Sequence, residues 1–211
     1  MARYTGPVCR LCRTEQTKLF LKGNRCKSDK CPINRKALPP GKAPKSRQGK
    51  RSDYAVQLRE KQKLKRTYGL QETQFRNTFE KALRMPGKTG ENLFALLERR
   101  LDTVVYRLRF STSRAQARQL VLHGHIAVNG KRVNVPSFSV KPGDVVSVHV
   151  TSNKLAIFKD ALQEFGRSGV MPWLSVDPDS MTGKFNTVPH RQDITDMADI
   201  REQLVVELYS K

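Results

Sequence analysis

The sequence predicts an α+β protein: a mainly α-helical, discontinuous domain with a small inserted α+β module and a cysteine-bearing N-terminal extension. Three observations predict it. Apolar residues recur at helical spacing between residues 53 and 108 and again over 153–165. A helix-start signal, a helix stop and a hairpin turn follow one another within residues 113–135. All four cysteines of the 211-residue chain fall in its first 31 residues. The boundaries that follow are 1–35 for the extension, 36–52 for a basic linker, 53–90 with 155–211 for the helical domain, and 91–154 for the module.

The extension carries Cys9, Cys12, Cys26 and Cys31, spaced C-x2-C, thirteen residues, C-x4-C. Four thiolates in two close pairs suit one structural, tetrahedral Zn²⁺. So short a segment cannot bury enough apolar surface to order itself, so metal would fix its fold. Disulfides, an iron–sulfur cluster and free thiols are the alternatives. A closed four-thiolate site has no open coordination position, which argues against catalysis there. Arg3, Arg10, Arg13, Lys22 and Arg25 surround the cysteines, either as a solvated basic face or as a grip on a polyanion.

The linker holds Pro39, Pro40, Gly41, Pro44 and Gly49 among Lys42, Lys45, Arg47, Lys50 and Arg51, and no acid lies between Cys31 and Asp53. Such a composition does not pack by itself. Ser52 or Asp53 then caps a helix running to about Tyr68, with Gly69 as its stop. Arg59, Lys63, Lys65 and Arg66 lie along it. A second helix over 71–84 sets Phe75, Phe79, Ala82 and Leu83 at helical spacing and also carries Arg76. Met85-Pro86-Gly87 breaks it. A third helix is expected from about Glu91 to Leu108, with Leu93, Leu97, Leu101, Val104 and Leu108 as its stripe and Arg107 near its end.

In the module, Ser113 with Gln116 three residues on forms a capping-box signal, and Gly124 ends the helix. Asn129-Gly130, between Ile126-Ala127-Val128 and Val133-Asn134-Val135, signals a hairpin. Arg114 and Arg118, four apart, share one helical face. Lys131 and Arg132 leave the hairpin tip, and His123 and His125 flank Gly124. Val145, Val146, Val148 and Val150 mark a last strand. Residues 153–165 read as a helix and the remainder as loop-rich, while Gln203–Tyr209 is equally a strand or a helix. Joint burial of Phe75, Phe79, Phe158, Phe165 and Trp173 would close the discontinuous domain.

The chain has 40 Lys and Arg against 19 Asp and Glu, a net charge of +21 and a pI near 10.3. Residues 1–66 carry +16, residues 67–159 carry +9 and residues 160–211 carry −4. A polyanionic partner follows more naturally than a small substrate, and the C-terminal segment is a poor surface for it. No stretch approaches a membrane span, and the N-terminus lacks the apolar core of a signal peptide. A reducing, cytoplasmic setting is the expectation.

The module's paired arginines, its Gly124-His125-Ile126-Ala127-Val128-Asn129-Gly130 run and Lys141-Pro142-Gly143-Asp144 resemble the small RNA-binding module named after ribosomal protein S4. Ser52–Lys63, Gln74-Phe75-Arg76-Asn77, Leu97–Asp102 and Gln203–Ser210 resemble the bacterial-type small-subunit ribosomal protein S4 family itself, in its four-cysteine form. The likeness covers nearly the whole chain and is loosest over 36–52 and 176–200. It implies a structural protein, monomeric within the ribosome, that binds 16S-type rRNA at a multi-helix junction early in assembly. It also implies a place near the site where mRNA enters, contact with the neighbouring protein S5 and an effect on decoding accuracy. The expected RNA contacts are the cations already named, from Arg3 to Arg132, with His123 and His125.

Two other functional classes share single features with this chain. An RNA-modifying pseudouridine synthase can carry the same module and needs an aspartate in an R-L-D setting. Here Arg100-Leu101-Asp102 precedes the module and no catalytic-sized domain follows, so Asp102 reads as a surface or ion-pairing residue. A zinc-dependent DNA-binding regulator would need a base-reading helix and a dimer device, and neither is evident.

Overall fold

The structure is a computed structural model that describes residues 3–41, 49–50, 52–163 and 169–210. The chain forms two compact units, Met1–Gly90 with Met197–Lys211, and Glu91–Asp196.

In the first unit, helix α1 (Val8–Glu15) lies in the extension, followed by α2 (Asp53–Thr67), α3 (Glu72–Arg84) and, from the C-terminus, α8 (Glu202–Tyr209). The Ser52 hydroxyl caps α2 by accepting the Ala55 N–H at 3.3 Å, and Gly69 stops it at a φ of +65°. Gln57, Glu60, Lys61, Leu64 and Thr67 are buried on one face of α2. That face is mostly polar, so hydrogen bonds accompany the packing. Gln57 donates to Glu207 at 3.0 Å, the Arg201 N–H to Glu60 at 3.3 Å, and the Tyr209 hydroxyl to Glu72 at 3.1 Å. The Tyr209 ring stacks on Phe79 and Phe75, with centroids 4.5 and 6.4 Å apart. The ambiguous C-terminal run is therefore a helix, and α2 and α3 define its seat.

In the second unit, the single helix expected over 91–108 is two. Helix α4 (Thr89–Glu98), whose first residues belong to the first unit, ends before Arg99, and α5 (Leu101–Arg107) starts afresh. A segment 40 residues on lies across the break. Val140 N–H donates to Arg99 O at 2.8 Å, while Leu101 and Asp102 N–H donate to Phe138 O and Pro136 O at 2.9 and 3.2 Å. Those long-range acceptors satisfy the free N–H groups of a new helix start, a feature helical periodicity does not reveal. The same crossing takes the chain out of the hairpin, so Val133–Val135 do not extend the strand.

Helix α6 (Arg114–Leu122) is capped by Ser113, whose Oγ accepts the Gln116 N–H at 3.3 Å. The Gln116 amide oxygen turns instead to the N–H and hydroxyl of Thr112, each at 2.8 Å. Gly124 ends the helix at φ +68°. A Cβ there would strain the left-handed backbone and push aside the Arg132 guanidinium, 2.2 Å away at Nε, so glycine suits the position. Strands β1 (Ile126–Val128) and β2 (Lys131–Arg132) join through Asn129 and Gly130 at φ +50° and +77°, the tight turn their residue types predict.

Strand β3 (Val145–Val148), helix α7 (Ala156–Gln163), β4 (Leu174–Asp177) and β5 (Thr182–Phe185) follow. The five strands form one antiparallel sheet in the order β2-β1-β3-β5-β4. This corrects the expected boundary at 155 and the loop-rich reading of the stretch after α7. Val146 pairs with Gly183, so residues 174–185 complete the module's own sheet, and only Met197–Lys211 returns to the helical unit. Phe75 and Phe79 meet Tyr209 in that unit, whereas Phe158 and Trp173 belong to the second. Phe165 lies outside the described residues.

Candidate nucleic-acid interface

The expected cations divide by burial. In the extension, Arg3, Arg10, Lys22 and Arg25 are exposed, and Arg13 donates to Leu38 O at 3.2 Å. Along α2 the charges are partly committed. Arg59 and Arg66 both reach the fully buried Glu15 carboxylate, Arg59 at 3.4 Å, which ties the end of α1 to α2. Lys63 pairs with Glu60. Lys61 and Lys65 hold Glu72 at 2.6 and 2.8 Å. Arg76 is exposed and pairs with Glu80 at 3.2 Å. Lys50 is exposed, while Lys45, Arg47 and Arg51 lie outside the described residues.

The module's arginines require correction. Arg107 is 4% exposed and forms bidentate pairs with Glu98, at 2.6 and 2.9 Å, and with Asp196, at 2.8 and 2.9 Å. Burial works against its charge, but Glu98 and Asp196 outweigh that and hold the guanidinium more firmly protonated than usual. Arg118, 5% exposed, reaches Asp102 at 3.2 Å. Arg114 lies 3.5 Å from Asp196 with its guanidinium over the Tyr106 ring. Arg114 and Arg118 thus turn toward carboxylates inside the unit instead of presenting a joint basic face. Acids far along the chain claim them.

Asp102 also takes Arg100 at 2.7 and 3.0 Å and the Thr103 N–H at 3.0 Å. A buried carboxylate held by two guanidiniums and a helix-start N–H is a structural hub.

Lys131 and His123 stay exposed at the hairpin end and the helix end. Arg132 folds back, donating to Gly124 O at 2.6 Å and His123 O at 3.0 Å, and so caps α6. His125 pairs through Nδ1 with the Ser152 hydroxyl at 2.8 Å. Burial, then the charges of His123 and Arg132, hold it below its ordinary 6.5 and so favour the neutral ring.

Asn129 donates to Asp144 at 2.9 Å and Lys141 N–H donates to the same carboxylate at 2.7 Å. The hairpin tip and the Lys141–Asp144 turn are thereby tied together, placing exposed Lys131 and Lys141 at one end of the sheet. Lys141 was not among the expected contacts, nor were exposed Lys81, Arg84 and Lys88. For Lys81 and Arg84, three apart on α3 and away from Phe75 and Phe79, that helical spacing was the available signal.

Cys9, Cys12, Cys26 and Cys31 form no disulfide among themselves, and the last three are buried. Burial pushes Cys12 and Cys26 up, and the other thiols add to it through their charge; backbone N–H groups of Leu19 at Cys12 and Lys22 at Cys26 act the other way. Among the described residues, no three His, Cys, Asp or Glu side chains converge as a formed metal site. Nor is any helix there long and apolar enough to cross a membrane.

The arrangement offers exposed cations on rigid elements in both units, suited to binding phosphates. Residues 3–98 match the family described as ribosomal protein S4/S9 N-terminal domain, and residues 99–146 match the S4 domain. The chain is 56% identical to the small ribosomal subunit protein uS4 of Geotalea daltonii, covering 100% of both chains. It is 53% identical to that of Thermus thermophilus and 52% to that of Thermodesulfovibrio yellowstonii, again over 100% of both.

Proposed function

This chain belongs to the bacterial-type ribosomal protein S4 family, and from that premise we infer how its basic units serve a small ribosomal subunit. It is a structural, rRNA-binding protein of that subunit, not an enzyme, and works where ribosomes do, in the cytoplasm. The observation that carries this is the match to uS4 relatives along the full length of both chains. Exposed Arg10, Lys22, Arg25, Lys131 and Lys141 supply phosphate contacts, while the buried arginines hold the module in shape. If ~8 phosphates are neutralised, affinity for 16S-type rRNA falls on the order of a thousandfold or more between ~50 and ~200 mM salt. A flat salt profile contradicts phosphate recognition.

The finer assignments are proposals. The protein binds the rRNA early, at a multi-helix junction, as a monomer within the subunit, and contributes to decoding accuracy. The basic linker, including Lys50, faces incoming mRNA, and S5 is a protein neighbour. Cross-linking from Lys50 and from the surface of S5 in assembled subunits tests both; absence of mRNA or of this chain among the products contradicts them.

Cys9, Cys12, Cys26 and Cys31 hold one structural Zn²⁺. Two close cysteine pairs in the chain, three of the four thiols buried and backbone N–H groups directed at two of them, are the chemistry that supports it. Bound metal would neutralise thiolate charge and fix residues 9–31. Metal analysis of freshly isolated, reduced protein should find one Zn²⁺ per chain, and chelation should expose the extension to protease while α2, α3 and α8 stay folded. Metal-free protein with an equally resistant extension contradicts the assignment.

A further inference from the structure

Between the two cysteine pairs, the backbone N–H of Leu19 points at Cys12, and those of Leu21 and Lys22 point at Cys26, Lys22 at 3.3 Å. Leu19 is buried. Phe20 sits between these anchors with a φ of +49° and its side chain 42% exposed. The left-handed region is a costly conformation for an aromatic L-residue, whereas glycine or asparagine serves such a turn readily. An exposed apolar ring gains little from burial in return. The turn therefore presents an aromatic ring to solvent, with Lys18 and Lys22 two residues to either side in the chain and Arg25 five residues on, all exposed.

An exposed aromatic ring flanked by cations is the chemistry of a single-stranded nucleic acid contact. Any base stacks on the ring, and the ammonium groups neutralise the flanking phosphates. We propose that Phe20 is a stacking platform for an unpaired base of the rRNA, with Lys18 and Lys22 on the adjoining phosphates, an inference that rests on the rRNA-binding function above.

The test uses the full-length protein and a 16S-type rRNA transcript. Phe20→Asn suits the left-handed turn and removes the ring. It should leave the unfolding midpoint unchanged or higher and weaken rRNA binding on the order of tenfold. The loss should be the same at ~50 and ~200 mM salt, because stacking releases no counterions. Phe20→Trp should bind as tightly as the unaltered protein, and its added emission should be quenched by the transcript but not by fully paired duplex RNA. Trp173, buried, supplies a constant background. Unaltered protein that fails to bind the transcript overturns the functional reading and the platform with it. Unaltered protein that binds, while F20N binds equally well or F20W shows no quenching, overturns the platform alone. A lowered F20N midpoint with unchanged affinity assigns the ring a packing role instead.

Discussion

Arg107 and Lys131 carry the same charge and do opposite work. Arg107 is enclosed by Glu98 and Asp196, and removing its guanidinium takes a bidentate partner from each carboxylate, that of Glu98 being fully buried. Breaking such a pair from one side costs about 3–5 kcal/mol, so Arg107→Ala should lower the thermal unfolding midpoint by many degrees. Lys131→Ala should leave stability within about 0.5 kcal/mol while lowering rRNA affinity and reducing the salt slope by about one. A stable R107A protein with impaired rRNA binding would reverse these roles. The sequence shows where the cations are but not which way they turn. Asp196 stands 89 residues from Arg107, and Asp102 stands 16 from Arg118, beyond any local spacing rule. Glu98, nine residues before Arg107, is equally hidden, because the chain breaks its helix between them. The cap Ser113, the stop Gly124 and the turn Asn129-Gly130 were legible because each acts within a few residues of itself.

Helix α8 sits on α2 and α3 through the Tyr209 ring on Phe75 and Phe79 and the Tyr209 hydroxyl on Glu72, the carboxylate that the Lys61 and Lys65 ion pairs hold between α2 and α3. Burial raises the Glu72 carboxyl, but the Lys61 and Lys65 ammonium groups outweigh it and bring it from 4.5 down to about 2. A folded-state value below the unfolded one means that ionised Glu72 adds stability above pH ~4.5. That contribution is lost as pH falls toward ~2. Unfolding midpoints measured from pH 5 to pH 2 should decline less steeply for Glu72→Gln than for the unaltered protein. Identical pH profiles would show that the cluster does not help hold the helix. At this scale, periodicity located α2, α3 and α6 but could not decide whether Gln203–Tyr209 was strand or helix. Its partners, Phe75, Phe79 and Glu72, are more than 120 residues away in the chain. The assignment of 174–185 to loops failed for a related reason. Short strands such as Thr182–Phe185 carry little alternation of their own and are defined by pairing with Val145–Ser147.

Across the described residues, acids pair with the buried arginines Arg107 and Arg118 of the second unit, while Arg10, Lys22, Arg25, Lys131 and Lys141 are exposed. The strongly basic N-terminal third, at +16, combines the cysteine extension, the linker and α2, while the acidic C-terminal segment closes the module's sheet and supplies Asp196. Such a chain gains a large electrostatic contribution from rRNA without placing that charge in its core. Family membership assigns this chemistry to the small ribosomal subunit. The decisive measurement is co-sedimentation of the full-length chain with small ribosomal subunits through a high-salt wash. The protein should remain in the small-subunit fraction at about one copy per particle, and be absent from large subunits. Release into the free-protein fraction, or equal recovery with both subunits, would contradict its assignment as a component of the small subunit.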